Sequence, residues 1–140
     1  MRLSNLADYA ILMMAAAARR QGDARLSAAV LAADSGVPEA TAQKLMGRLA
    51  SAGLLSSMRG AGGGFALARP ADTISLADIV EAIEGPIAMT SCLETGRHDC
   101  ALEDNCRVRA HWPVVNQAIK GALADVSLER LASKAMGEAA

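Results

Sequence analysis

The chain changes its period at one point, and that point restricts its fold more than any other feature. Over "PEATAQKLMGRLASAGLL", Ala42, Leu45, Met46 and Leu49 recur at helical spacing and make one apolar stripe, with Thr41, Gln43, Lys44 and Arg48 off it. Just after Ala52-Gly53, "LLSSMR" and "GFALAR" read as two short extended runs separated by "GAGGG". Extended runs joined by glycines predict a β-hairpin, because glycine supplies positive φ angles and close approach at a tip. An amphipathic helix running straight into a hairpin is the end of a winged helix. Gly47 is a fault in that helix worth about 1 kcal/mol against alanine, which suggests close backbone contact there.

The segments upstream complete the motif. "LSNLADYAILMMAAAARRQG" (3–22) reads as a helix with Ser4 or Asn5 as cap and Gly22 as stop. "LSAAVLAADSGV" (26–37) reads as a short helix capped by Ser27 and ended at Ser35-Gly36. Pro38 suits the first position of the next helix, where its missing N–H is not needed. Two short helices joined by a Ser-Gly turn, the second with a polar and basic outer face, make a helix-turn-helix.

Downstream, "TISLADIVEAIEG" (73–85) is a helix with Ser75 and Asp78 spaced as a capping box, ended by Gly85-Pro86. Residues 90–111 have no clear period and read as a loop. "WPVVNQAIKGALADV" (112–126) repeats apolar residues at Val115, Ala118, Ile119, Ala122, Leu123 and Val126, and "SLERLASKA" is a last short helix capped by serine. The expected fold is mainly α with a small β-wing. A winged helix-turn-helix occupies residues 1–85, with its recognition helix at 38–52 and wing at 54–68. A cysteine-bearing loop spans 86–111, and a dimerisation helix with a short terminal helix spans 112–140. A two-fold dimer would read half-sites about 34 Å apart.

Net charge is only −1, but it is unevenly placed: residues 1–70 carry eight Arg/Lys against four Asp/Glu, and residues 71–140 carry six against eleven. No acidic residue occurs from Ala40 to Ala71, so a polyanion has one natural place to dock. Double-stranded promoter DNA is the expected partner. Thr41, Gln43, Lys44 and Arg48 would face the major groove, where an amide pairs with adenine and a cation with guanine or phosphate. Arg59, with Ser57 and Gly60 beside it, would follow the wing into the minor groove. The competing reading is a winged-helix module for protein contacts, its charges merely solvated.

No catalytic set is visible. There is no Ser/His/Asp grouping, and "GAGGG" sits in a hairpin with no lysine after it rather than opening a helix. An enzyme with a small-molecule substrate is therefore not expected. The longest apolar run, "YAILMMAAAA" (9–18), is shorter than the roughly 20 residues a membrane helix needs. Asp8 before it and Arg19-Arg20 after it fit a secretion signal poorly, so a cytoplasmic protein without a membrane partner is expected.

Cys92, Cys100 and Cys106 have the spacing C-x7-C-x5-C. An odd number of cysteines argues against a disulfide framework. Thiolates are soft ligands for zinc or an iron-sulfur cluster, and three leave a four-site group one ligand short. Zinc knuckles bring cysteines in closer pairs than these. His111, His98 and Asp8 are candidates for the fourth ligand. Unligated thiols are the plain alternative.

These residues resemble the IscR/NsrR family of dimeric winged-helix regulators that carry an iron-sulfur cluster. The likeness rests on "MRLSNLADYA", "LMGRLASAGLLSSMRGAGGGFALAR", the three-cysteine loop and "VSLERLA". "LADYA" and "CRVRAHW" most resemble regulators of the SUF cluster-assembly system. The resemblance implies that Arg59 is the wing arginine, and that Gln43 stands where an acidic residue affects site choice. It also implies that the three cysteines hold a [2Fe-2S] or [4Fe-4S] cluster. Asp8 matches the aspartate that supplies a fourth ligand from the partner subunit, with His111 as alternative. The chain departs from IscR in its longer first cysteine gap and in Arg109, which stands where IscR has a histidine ligand. A repressor controlling cluster-assembly genes is the implied role. A nitric oxide or redox sensor using thiols or zinc on the same fold is the alternative.

Overall fold

The computed structural model of the protein describes residues 2–20, 25–58, 63–93 and 95–133. Helix α1 (Asn5–Arg19) starts at Ser4, whose side chain accepts from the Ala7 amide, and buries a face of alanines with Met13 and Met14. The helix-turn-helix is α2 (Ala28–Ser35) and α3 (Glu39–Ser51), with Ser27 capping α2 by accepting from the Val30 amide. Gly36 ends α2 at φ +81°, a left-handed conformation that glycine adopts without strain. Pro38 is the residue before α3 rather than its first helical position, and its extended ψ of 137° turns the chain into the helix.

The wing pairs β1 (Leu55–Met58) with β2 (Gly64–Leu67), antiparallel, with Leu55 opposite Leu67 and Ser57 opposite Phe65. A contact not expected from sequence adds to it. Leu26 and Phe65 exchange both main-chain hydrogen bonds, at 2.8 and 2.7 Å, so the segment before α2 runs as a third edge beside β2. Gly64 makes this possible: a Cβ there would lie 2.7 Å from the Leu26 carbonyl oxygen. Gly64→Ala is therefore expected to break or shift that bridge, lowering stability by about 1–3 kcal/mol in urea unfolding. Gly47 is the opposite case. It is exposed, and a Cβ there would meet nothing within 4 Å, so among the described residues the close contact expected at this position is not made.

A short 3₁₀ turn (Ala71–Thr73) leads into α4 (Leu76–Glu84), whose capping box is complete: Ser75 accepts from the Asp78 amide and Asp78 accepts from the Ser75 amide. Ala77, Ile79, Val80 and Ile83 are its buried residues. Residues 85–111 follow without long elements, holding two further 3₁₀ turns (Glu103–Asn105 and Arg109–His111). Then come α5 (Trp112–Ala124) and α6 (Leu128–Ala132).

The core lies between α1, α2, α3, α4, the base of the wing and α6. Met13, Met14, Leu31, Leu45, Met46, Leu49, Ile74, Ile79 and Leu128 are its fully buried large side chains, each worth roughly 1.5–3 kcal/mol of burial. Leu128 brings the last short helix into this core. Helix α6 packs back onto α1, while α5 lies outside the core with no buried residue. The physical reason is a two-way strap: the Leu76 amide donates to the Val126 carbonyl (2.8 Å) and the Leu128 amide to the Ile74 carbonyl (2.7 Å). Arg20 and Asp34 also pair across α1 and α2, and hydrogen bonding to the guanidinium holds the Asp34 carboxyl below the usual carboxylate range. Any stability from that pair is present above the unfolded carboxyl's pKa and is lost as pH falls through the lowered one. The carboxyl is solvent-exposed, so the contribution is small.

Candidate nucleic-acid interface and cysteine segment

Helix α3 buries Ala42, Leu45, Met46 and Leu49, and this sets which residues face outward. Gln43 and Lys44 are exposed, and Thr41 is half-buried beside them. Ser57 is exposed on β1. Arg59 and Gly60 lie outside the described residues. The surface formed by α3 and β1 thus carries hydroxyl, amide and ammonium groups suited to phosphate and base-edge contacts. Arg48 is different: its Nη2 donates to the Ile83 carbonyl at 2.7 Å, tying α3 to the end of α4. Lys44, Gly47, Arg48, Ser51 and Glu81 are among the residues lining an open cleft between these helices.

The cysteines are free thiols: Cys92 and Cys106 half-buried, Cys100 exposed. Thr90 Oγ1 lies 3.3 Å from Cys92 Sγ. The segment around them is ordered by Glu103, which sequence reading passed over. Its carboxylate, only 12% exposed, meets His98 Nδ1 at 2.6 Å and Arg109 Nη2 at 3.3 Å. His98, at φ +56°, is the sole non-glycine residue at positive φ among the described residues, and this contact turns its ring toward Glu103. Arg109, standing where the resemblance would put a histidine ligand, is thus engaged by a carboxylate.

Asp8 is exposed in the first turn of α1, and His111 is exposed just before α5. Among the described residues, no three His, Cys, Asp or Glu side chains gather closely enough to hold a metal ion. The donor chemistry still suits a soft metal or cluster: three thiols free of disulfides, on a segment of turns rather than long helices. The cysteines are brought to one segment but not to one point.

Two more side chains organise this region. Asn116 on α5 accepts from the Met89 amide (3.0 Å) and donates to the Ile87 carbonyl (2.9 Å). Glu81 on α4 accepts from the Ile87 amide (3.0 Å) and pairs with Lys120 of α5 (3.4 Å). The one hint in the sequence was the pair of amides, Asn116 and Gln117, beside the apolar repeat of "WPVVNQAIKG".

A helix-turn-helix with a two-stranded wing and a polar outer face on its second helix defines a winged-helix transcription regulator. The match to known proteins makes this specific: residues 3–134 fit the family model described as "Rrf2: Iron-dependent Transcriptional regulator", and the chain belongs to the Rrf2 family. It is 32% identical over 131 residues to the HTH-type transcriptional regulator IscR of Photorhabdus laumondii, covering 94% of this chain and 79% of that protein. Among solved structures it is similar to CymR, the global cysteine regulator of B. subtilis. There the TM-score is 0.72 at 30% identity, covering 94% of this chain and 96% of that one. IscR of T. potens gives a TM-score of 0.70 at 26% identity, covering 98% and 94%. These relatives are transcription regulators and not enzymes. No helix among the described residues is long and apolar enough to cross a membrane.

Proposed function

We propose that the protein is a cytoplasmic, homodimeric repressor whose grip on promoter DNA depends on an iron-sulfur cluster, and that it controls cluster-assembly genes. The observation that carries this reading is the position of the three free thiols, in the one segment that joins α4 to α5. Cys92, Cys100 and Cys106 would hold a [2Fe-2S] or [4Fe-4S] cluster, with Asp8 from the partner subunit as fourth ligand and His111 as the alternative. Such a group supplies thiolate-bound iron that responds to iron supply and oxidants. The chain's own part is mechanical. Glu81 and Asn116 fasten residues 87–89 to α4 and α5, so a rearrangement of the cysteine segment reaches both helices. A change of 1–3 kcal/mol in coupling would alter promoter occupancy by roughly 5–150-fold.

Support comes from the family description, which is of iron-dependent regulators, and from similarity to IscR. A second reading, thiol-based sensing without a metal, is favoured by the ungathered ligands and by the hold of Glu103 on Arg109 and His98. Purification without oxygen separates the two. Brown protein with bound iron and sulfide, its colour lost in Cys92→Ala, is the expected result. Colourless protein whose promoter binding responds only to thiol oxidants would replace the cluster with the thiol reading. Failure to retard any duplex would leave the interaction-module reading instead.

A further inference from the structure

Arg48 lies on the recognition helix, where a cation is ordinarily assigned to phosphate or guanine. Its surroundings point elsewhere. Helix α4 ends at Glu84, and Gly85 leaves it at φ +84°, so the last carbonyls need partners from outside the helix. The Ile83 carbonyl would next be reached by the Ile87 amide, but that amide donates to Glu81 Oε2 at 3.0 Å. The guanidinium of half-buried Arg48 fills the vacancy at 2.7 Å, where a cation also complements the negative end of the helix dipole.

We propose that Arg48 is a positioning residue: by closing the Ile83 carbonyl it fixes the angle at which α3 leaves α4, and thereby the pose of Gln43 and Lys44, without itself touching DNA. The inference rests on the DNA-binding reading and names a residue on which that reading depends. Specific recognition needs side chains held at base edges within tenths of an ångström. Non-specific binding needs only charge near phosphate and survives a tilted helix. The two kinds of binding therefore report on different things.

The test compares wild type, Arg48→Gln and Lys44→Gln on two probes. One is a duplex selected by the wild type from a random-sequence pool, and the other is a random duplex of the same length, both titrated across salt concentrations. For Arg48→Gln the expected result is about tenfold weaker binding to the selected duplex, the scale of one hydrogen bond to a charged group. Random-duplex affinity and the salt slope should stay as in wild type. Lys44→Gln should weaken both probes and make the slope shallower by about 0.9. A shallower slope for Arg48→Gln, with both affinities falling together, would make Arg48 a phosphate contact and overturn the proposal. So would an unchanged affinity for the selected duplex. If Arg48→Gln does not fold, Arg48→Lys keeps the charge while its shorter ammonium stops short of Ile83, and the same split between probes is expected. Should the wild type select no duplex at all, the DNA-binding reading fails first and visibly.

Discussion

Replacing Leu128 by alanine is expected to destabilise the protein by about 2–5 kcal/mol, although residue 128 lies far along the chain from the helix-turn-helix. Leu128 is fully buried among side chains of α1 and its neighbours, and a cavity there can collapse little because the surrounding backbone is pinned. On one side Leu128 and Ile74 share a main-chain hydrogen bond; on another, Arg19 Nε of α1 donates to the Ala132 carbonyl at 3.0 Å. In a protein whose whole stability is roughly 5–15 kcal/mol, such a loss is a large share. A fall in Tm of roughly 10–20 °C in a thermal melt is the corresponding reading. A change below about 1 kcal/mol would show that α6 does not share the core. A melt with two separate transitions would show that the helices after residue 112 form a unit of their own.

That result bears on how much of the molecule its sequence discloses. The helix-turn-helix and wing were legible because they are local: a period near 3.6 gives way to a period of 2, and the serines at 27, 75 and 127 stand where capping chemistry needs them. All three accept from the amide three residues on. The placement of α6 was not legible. Five residues carry too little pattern to name their partner, and the strap joining Ser75 to Ser127 is made of main-chain atoms, which look alike in every sequence. Leu26 meeting Phe65 was hidden for the same reason, and so was the Ile83 carbonyl beneath Arg48. Glu103 was overlooked because a carboxylate among scattered charges has no spacing rule, and its importance appears only once His98 and Arg109 converge on it. The cysteines were legible as chemistry and not as geometry.

The outer face of α5 leads to the second large effect. Val114 is 74% exposed and Val115 38% exposed, with exposed Ala118 and Ala122 continuing the face along the helix. The helix's other side is already engaged, with Lys120 and Asn116 holding it to α4 and residues 87–89, and with Ile119 and Leu123 over a cavity of about 670 Å³. An apolar face left on a helix that is fastened along one side and tied at both ends suits a second copy of the same helix. Placing aspartate at both 114 and 115 would bury two like charges against their symmetry mates, so sedimentation should show a monomer. Folding should be nearly unaffected, since both positions are exposed and surface changes of this kind are usually within about 0.5 kcal/mol. DNA binding should suffer far more. A dimer joins its second half-site at a high effective concentration, and losing that advantage weakens binding by about 10²–10⁴-fold. A folded double variant that stays dimeric, or a monomer that keeps full promoter affinity, would move the two-fold contact away from α5.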